Sequence, residues 1–275
     1  ALARLAAETG DMDLLSTILM PLQNPIRLAE EVATLDVITN GRIIIAPALG
    51  YRDEEYEAFG VTHQDRLRRM LECMELMKLL WTGEEVTFTG EFTQVTGVHL
   101  GMKPVQQPHP RMWMTANGDG MVRRIARMGY VWYLNPHAAF DTLARQVEMY
   151  KAVRDESGFG PVDTLPMSRE TFVAETRQQA QDTARPFLEG KYRTYAAWGQ
   201  DKAMPGEEDF TRSFDELSQG RFIVGDPDDV IADLTKFKEI GVTHASLRFG
   251  WPGTPKHVVE GAIRLAAKEV LPALQ

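Results

Sequence analysis

One segment of the sequence has the composition of an anion-binding turn. Thr115–Met121 has the sequence TANGDGM, in which two glycines follow a predicted strand and precede a predicted helix. Free backbone N–H groups and the helix dipole favour an anion at such a helix start. A turn that only caps the helix fits the same residues, so the local sequence leaves both interpretations open.

The other reactive side chains form no recognisable catalytic or metal-binding motif. No two histidines have the short spacing of a helical metal site, and no serine lies in a G-x-S-x-G motif. His137 follows a predicted strand and is the one histidine placed for chemistry, with a surface position as the simpler interpretation. Cys73 lies among methionines of a predicted helix and is expected in the core. We predict no metal site and no protein nucleophile, and we expect a cofactor to perform the chemical step.

The composition is that of an ordinary globular protein. The 275 residues are 44% hydrophobic and 25% charged, with a formal net charge of −9. Because nucleic acids and anionic membranes attract basic proteins, this balance argues against either partner. The chain has one cysteine and no apolar run of membrane-spanning length, which predicts a reducing, cytoplasmic location.

Strand-length apolar runs alternate with longer helical patterns, which is typical of βα units around a parallel sheet. Parallel strands are predicted near residues 15, 45, 113, 132, 169 and 246. An open doubly wound sheet would need a glycine-rich turn after its first strand, and Pro21–Pro25 contain no glycine. The pattern favours a single incomplete (β/α)8 TIM-barrel domain over residues 1–275, whose first strand, first helix and second strand are expected upstream of Ala1.

Two segments interrupt this alternation. Residues 85–98 alternate around Thr89-Gly90 and predict a β-hairpin insertion. Residues 190–220 have no clear periodicity and predict a long excursion, in which Trp198 is a candidate for the wall of a substrate pocket. Trp251 is a second candidate, because it lies just beyond a predicted strand and barrel enzymes carry their sites at the carboxyl ends of strands.

Capping residues set several predicted helix boundaries. Asn24 followed by Pro25 begins one helix, and Thr254 is expected to cap a helix over Pro255–Leu271. The helix after the strand near residue 169 is predicted over Glu175–Leu188, and Gly50–Thr62 is predicted as a loop.

Several stretches resemble the bacterial luciferase-like, flavin-dependent monooxygenase family. Pro25–Val61 resembles its helix ending in L-D-x-x-(S/T)-x-G-R, followed by a strand and G-x-x-x-x-E-(F/Y)-x-x-F-G. Arg66–Val95 matches the next helix, with its L-W-T-G end, and the hairpin. Lys103–Trp132 matches the P-x-Q-x-P-x-P linker and the strand–turn–helix after it, and Phe222–His244 matches G-(S/D)-P-x-x-V. Each motif alone is weak, and their combination is specific.

The resemblance implies an oxidoreductase with a TIM-barrel fold, and a homodimer is expected. Such an enzyme uses reduced FMN, supplied by a separate flavin reductase, and O2 to oxygenate a small-molecule substrate. The aromatic residues of the excursion fit a hydrophobic substrate, and the same composition fits packing against the barrel. Two alternatives stay open. One is a hydride-transfer oxidoreductase that depends on a deazaflavin of the coenzyme F-420 type, and the other is a non-catalytic flavin-binding barrel.

The resemblance also implies cofactor-binding positions. Ser16 and Thr17 match a site where the family commonly has a non-prolyl cis peptide beneath the flavin ring. The other matching positions are Leu49, Gly50, Tyr51, Ala116, Asn117, Gly118, Asp119, Gly120 and Asn135. The family's active-site histidine ends its second strand, which is expected upstream of Ala1, so the catalytic residue is unknown.

Overall fold

The computed structural model describes residues 1–206 and 208–274. Glu207, which falls in the predicted excursion, and Gln275 lie outside the described residues. The chain divides into two compact units, Ala1–Met114 and Thr115–Gln275. The expectation of one domain over the whole chain stays a prediction.

The first unit pairs parallel strands and carries a separate hairpin. Its helices and strands, in order, are α1 (Leu2–Ala6), β1 (Leu14–Leu19), α2 (Pro25–Ile38), β2 (Ile43–Ala48), α3 (Asp53–Ala58), α4 (Arg66–Thr82), β3 (Val86–Thr89), β4 (Gln94–Val98) and the first residues of β5 (Arg111–Ala116). Short 3-10 turns cover Met20–Leu22 and His63–Asp65. β1 pairs with β2 and β2 with the start of β5, all in parallel. The antiparallel pairing of β3 with β4 confirms the predicted hairpin.

Helix α2 begins where its sequence predicts. The Asn24 side chain accepts hydrogen bonds from the N–H groups of Ile26 and Arg27, both at 3.1 Å, and Pro25 takes the first helical position. Near the other end, the buried carboxylate of Asp36 accepts hydrogen bonds from the backbone N–H of Gln106 at 2.9 Å and from its side-chain amide at 2.6 Å. These bonds attach the proline-rich linker to the helix.

The single cysteine lies in a cluster of buried sulfur atoms. Cys73 in α4 is 4% exposed, and its Sγ lies 3.6 Å from Met77 Sδ and 3.9 Å from Met20 Sδ. Burial raises the pKa of the thiol to about 12, so the thiol is protonated at neutral pH. The predicted core position of Cys73 is confirmed.

The second unit is built around one buried parallel strand. Its described helices and strands, after the end of β5, are α5 (Asp119–Arg127), β6 (Val131–Leu134), α6 (Phe140–Glu156), β7 (Pro166–Val173), α7 (Arg177–Ala197), α8 (Phe214–Ser218), β8 (Ile223–Gly225), α9 (Pro227–Glu239), β9 (His244–Arg248), α10 (Lys256–Leu265) and α11 (Leu271–Leu274). A 3-10 turn covers Asp201–Ala203, and a π-helical turn covers Ala266–Val270. Every residue of β7 is buried, and β6, β8 and β9 all pair with it in parallel.

Two helices differ from their predicted extents. Helix α7 continues past the predicted end at Leu188 to Ala197, so the excursion begins as helix. Its later turns are held by packing that a periodicity pattern does not contain, since the ring of Tyr192 is fully buried against Phe210 and Phe222. In the first unit, α3 lies within the segment predicted as a loop, with three acidic residues in its first turn that favour a helix start.

Two further expectations are corrected. Strand β8 adds a parallel strand to the six that were predicted, and its three residues are too few to show an alternation pattern. Thr254 does not cap the last long helix, whose N-cap residue is Pro255. The Thr254 hydroxyl instead accepts a hydrogen bond from the Trp251 N–H at 3.1 Å, which fixes the turn before the helix.

No helix among the described residues has the length and apolar character that a membrane span requires.

Candidate functional site

The turn that joins β5 to α5 presents backbone N–H groups that have no acceptor among the described residues. We call this segment, Ala116–Gly120, the α5 turn. Gly118 is its N-cap residue, and the Gly118 carbonyl accepts hydrogen bonds from the N–H groups of Met121 and Val122, both at 3.1 Å. The two N–H groups that precede these donors have no acceptor within the helix. They therefore face outward at the positive end of the helix dipole.

The one acidic side chain of the α5 turn is neutralised by its neighbours. Both terminal nitrogens of Arg145 donate to the Asp119 carboxylate, at 2.7 and 2.9 Å. Gln146 donates to the same carboxylate at 2.9 Å and to the Asn117 carbonyl at 2.8 Å. These bonds, first those from Arg145, hold the pKa of Asp119 below its ordinary value. The turn is thus fixed to α6, and the Asp119 charge is compensated.

The glycines of the α5 turn leave room for a ligand. A Cβ atom at Gly120 would meet no atom within 4 Å, and one at Gly118 would lie 3.7 Å from the carbonyl oxygen of Ala203. Backbone donors, a helix dipole and open space are what a phosphate group needs at a helix start. The α5 turn has these features, and its assignment as an anion site stays a prediction.

Asn135 lies beside the α5 turn and shapes the loop after β6. Its side-chain oxygen accepts hydrogen bonds from the N–H groups of His137 and Ala138, both at 2.9 Å, and its amide donates to the Ala116 carbonyl at 3.3 Å. Asn135 is 7% exposed. The structure thus brings two of the predicted cofactor residues together, with the Asn135 amide engaged in holding the backbone.

The predicted cofactor residues of the first unit lie on β1 and directly after β2. They are Ser16, Thr17, Leu49, Gly50 and Tyr51. The first two belong to β1, and the other three follow β2 directly. Gly50 has φ +84°, which favours glycine, and the Tyr56 hydroxyl donates to the Leu49 carbonyl. This hydrogen bond fixes the end of the strand.

The peptide bond expected to be cis is trans. Gln107–Pro108 is the one cis bond in the part of the chain that the structure describes. Ser16 and Thr17 keep the regular parallel register of β1, opposite Ile45 and Ala46. The expectation of a cis bond here is therefore wrong, and an ordinary extended backbone satisfies the pairing with β2.

A pocket of about 480 Å³ lies between α7 and the loop after β9. We call it the α7 pocket. The residues of its wall that matter for a ligand are Phe187, Gly190, Lys191, Tyr195, Trp198 and Trp251. The two tryptophans were the predicted substrate-pocket residues, and the structure places both in this one wall although they are distant in the chain.

A buried carboxylate connects two walls of the α7 pocket. Glu170 in β7 has no exposed surface, and its Oε1 accepts hydrogen bonds from Lys191 Nζ at 2.5 Å and from Arg248 Nη1 at 3.2 Å. Its Oε2 accepts from Trp251 Nε1 at 2.6 Å. We call these four residues the Glu170 cluster. Sequence reasoning missed the cluster, although the charged pair Arg169-Glu170 inside a predicted buried strand was a signal for it.

His137 is buried near the Glu170 cluster instead of lying on the surface. It is 8% exposed, and its ring packs edge-to-face against the ring of Tyr195, with the two ring centroids 5.0 Å apart. Burial, aided by nearby cations, holds the pKa of His137 well below its ordinary value, so the ring is neutral at physiological pH. The cations are Arg248, Lys191, Arg169 and Arg221.

The sequence matches the family model for luciferase-like monooxygenases over residues 1–244. It is 27% identical over 173 residues to the FMNH2-dependent dimethylsulfone monooxygenase of Pseudomonas putida, a match that covers 61% of this chain and 47% of that protein. The chain thus spans about half the length of this relative. The 5,10-methylenetetrahydromethanopterin reductase of Archaeoglobus fulgidus is 25% identical over 272 residues, which cover 92% of this chain and 80% of the reductase.

A solved structure has a similar fold. Monooxygenase RslO1 from Streptomyces bottropensis superposes with a TM-score of 0.84 and 25% identity, over 100% of this chain and 82% of that one. This match confirms the α/β barrel class expected from the sequence, and the family match confirms the resemblance. The chain belongs to the luciferase-like monooxygenase family.

Proposed function

We propose that the protein is a flavin-dependent monooxygenase that uses reduced FMN and O2 to oxygenate a small, hydrophobic organic substrate. The observation that carries this proposal is that the second unit holds both a glycine-containing turn at a helix start and a pocket with an aromatic wall. Each follows the carboxyl end of a parallel strand, where barrel enzymes carry their sites. Family membership and the FMNH2-dependent relative support the choice of cofactor and oxidant. A separate flavin reductase would supply the reduced FMN, and the homodimer stays a prediction.

The α5 turn fits the phosphate of FMN. Its free N–H groups would bind the phosphate oxygens, Gly120 leaves space for them, and Arg145 compensates the charge of Asp119. When bound, reduced FMN supplies the electrons that activate O2. The aromatic wall of the α7 pocket would hold the apolar part of the substrate. The proposed flavin contacts of the first unit, Ser16, Thr17 and Leu49–Tyr51, rest on the family resemblance.

A deazaflavin-dependent hydride-transfer oxidoreductase is the second candidate. Two observations favour it. The match to the Archaeoglobus fulgidus reductase covers more of this chain than the match to the dimethylsulfone monooxygenase does. A coenzyme F420-dependent tetrahydromethanopterin reductase from Methanopyrus kandleri also has a similar fold, with a TM-score of 0.76 and 20% identity. Such an enzyme would keep the same fold and phosphate site and would not use O2.

An anaerobic titration tests the two candidates against each other. The full chain is titrated with reduced FMN and, separately, with a reduced deazaflavin of the F-420 type, and air is then admitted. We expect tight binding of reduced FMN, followed by O2 uptake that depends on the protein and on substrate. Preference for the deazaflavin without O2 uptake would support hydride transfer, and binding of neither coenzyme would contradict both proposals.

Filling the α7 pocket should weaken substrate binding without destabilising the fold. Gly190 lines the pocket within α7, and a Cβ atom there would meet no atom within 4 Å, so the leucine of Gly190→Leu would extend into open space. Leucine also favours a helix over glycine by about 0.8 kcal/mol. We expect the KM for substrate to rise about tenfold or more. The melting temperature should stay the same or rise, and the Kd for FMN should not change.

Gly261→Leu is the matched control for this variant. Gly261 is an exposed residue of α10 that also has no atom within 4 Å of its Cβ position. Leucine there gives a similar gain in helix propensity and leaves the α7 pocket unchanged. An equal change of KM in both variants, or no change in either, would show that substrate does not occupy the α7 pocket.

A further inference from the structure

Among the residues that the structure describes, the charges beside the α7 pocket do not balance. In the Glu170 cluster one carboxylate faces two cations, Lys191 and Arg248. Arg169, fully buried nearby, adds a third positive charge and bonds only backbone carbonyls, those of Asn135 and Ala138 at 3.2 and 3.0 Å, among its partners in the described chain.

Lys191 is the charged residue that reaches the pocket wall. Its side chain is 13% exposed, and its Nζ lies 5.4 Å from the centroid of the Tyr195 ring. An ammonium group has three N–H donors, and Glu170 Oε1 is the one hydrogen-bond acceptor that the described residues give it. Lys191 thus keeps donor capacity beside the aromatic wall.

The carboxylate of the cluster cannot serve a ligand in the same way. Glu170 has no exposed surface, and both of its oxygens already accept hydrogen bonds from Lys191, Arg248 and Trp251. A cationic substrate would therefore find no free acceptor and would meet a net positive charge. A neutral apolar ligand would bury the remaining donors of Lys191 without a partner, which costs free energy.

We propose that the α7 pocket takes a substrate with an aromatic or similar apolar body and an anionic group, a carboxylate or sulfonate, and that Lys191 binds this anionic group. The aromatic wall would hold the body of the molecule, and Lys191 would determine the specificity for charge. The inference rests on the proposed function, because it names the substrate class for the same pocket.

A matched pair of probes tests the charge preference directly. Benzoate and benzamide have nearly the same shape and differ in charge, and their binding to the full chain is measured by calorimetry at pH 7 in low and high salt. We expect benzoate to bind at least about tenfold more tightly than benzamide, the lower end of the contribution of a charged hydrogen bond. The preference should shrink as salt screens the charges, because the pocket is open to solvent.

Two substitutions in one ion pair should have opposite effects. Lys191→Met removes the binding cation and should abolish the preference for benzoate, whereas Glu170→Gln removes the competing carboxylate and should strengthen benzoate binding about tenfold. Loss of a merely structural ion pair would weaken binding in both variants. Lys236→Met removes a positive charge from an exposed pair with Asp233 in the same unit and should leave the preference intact.

The outcomes separate this inference from the proposed function, since neither probe requires flavin or turnover. Equal binding of the two probes, no binding of benzoate, or weaker benzoate binding in both cluster variants would overturn the anion site. Selective benzoate binding in a protein that shows no O2-dependent turnover would support the anion site and contradict the monooxygenase proposal. O2-dependent turnover of neutral substrates alone would support the monooxygenase proposal and contradict the anion site.

Discussion

Replacing Gly120 by aspartate should weaken FMN binding about a hundredfold and leave riboflavin binding unchanged. The new carboxylate would enter the open space at the α5 turn, where a Cβ atom meets nothing within 4 Å, and would repel the FMN phosphate at short range. Two like charges about 5 Å apart at an effective dielectric constant of about 20 repel by roughly 3 kcal/mol, which corresponds to this loss. Riboflavin lacks the phosphate and so escapes the effect.

The same substitution should not damage the fold. An aspartate in the first turn of a helix interacts favourably with the helix dipole, by about 0.3–1 kcal/mol, and glycine is the poorer helix residue. Fluorescence titration gives the Kd for both flavins, with Gly120→Asn as the control of similar size and no charge. Equal losses for FMN and riboflavin, or an unchanged Kd for FMN, would show that the phosphate lies elsewhere.

Removing the buried carboxylate of Glu170 should lower the free energy of unfolding more than removing an exposed carboxylate does. We expect Glu170→Ala to lower the free energy of unfolding by about 3–5 kcal/mol, because the substitution leaves Lys191 without its buried counter-ion and the indole N–H of Trp251 without its acceptor. Urea unfolding with linear extrapolation measures the difference. Glu170→Gln, which keeps the size and one acceptor oxygen, should lose less.

Glu260→Ala provides the comparison for this prediction. Glu260 also pairs with a lysine, Lys256 at 3.4 Å, but its side chain is 49% exposed. Exposed pairs of this kind contribute about 0–1 kcal/mol. If the two alanine variants lose the same stability, the Glu170 cluster does not hold the second unit together.

The parts of the fold that depend on local chemistry could be predicted from the sequence. Asn24 followed by Pro25 marks the start of α2 because the cap acts on N–H groups two and three residues away. Strand β8 gave no such signal, since Ile223–Gly225 is too short to alternate and forms only by pairing with β7. The end of α7 likewise depends on where Tyr192 packs, which is a tertiary fact.

The candidate site also has parts that could be predicted from the sequence and parts that could not. The α5 turn could be found because its glycines, its acidic residue and its helix start are consecutive. The Glu170 cluster could not, because its partners Lys191 and Arg248 lie on other elements, 21 and 78 residues away in the chain. Trp198 and Trp251 were named individually, and only the structure shows that they share a pocket.

The burial of Cys73 has a consequence for how long such an enzyme survives its own chemistry. Peroxides attack the thiolate form of cysteine, and at a pKa of about 12 almost none of this thiol is ionised at neutral pH. Met20 and Met77, which surround it, have no exposed surface, so their thioethers are shielded from sulfoxide formation. The proposed monooxygenase would bring a reduced flavin and O2 together and so work beside oxidants, and the burial of this cluster would protect its sulfur atoms from them.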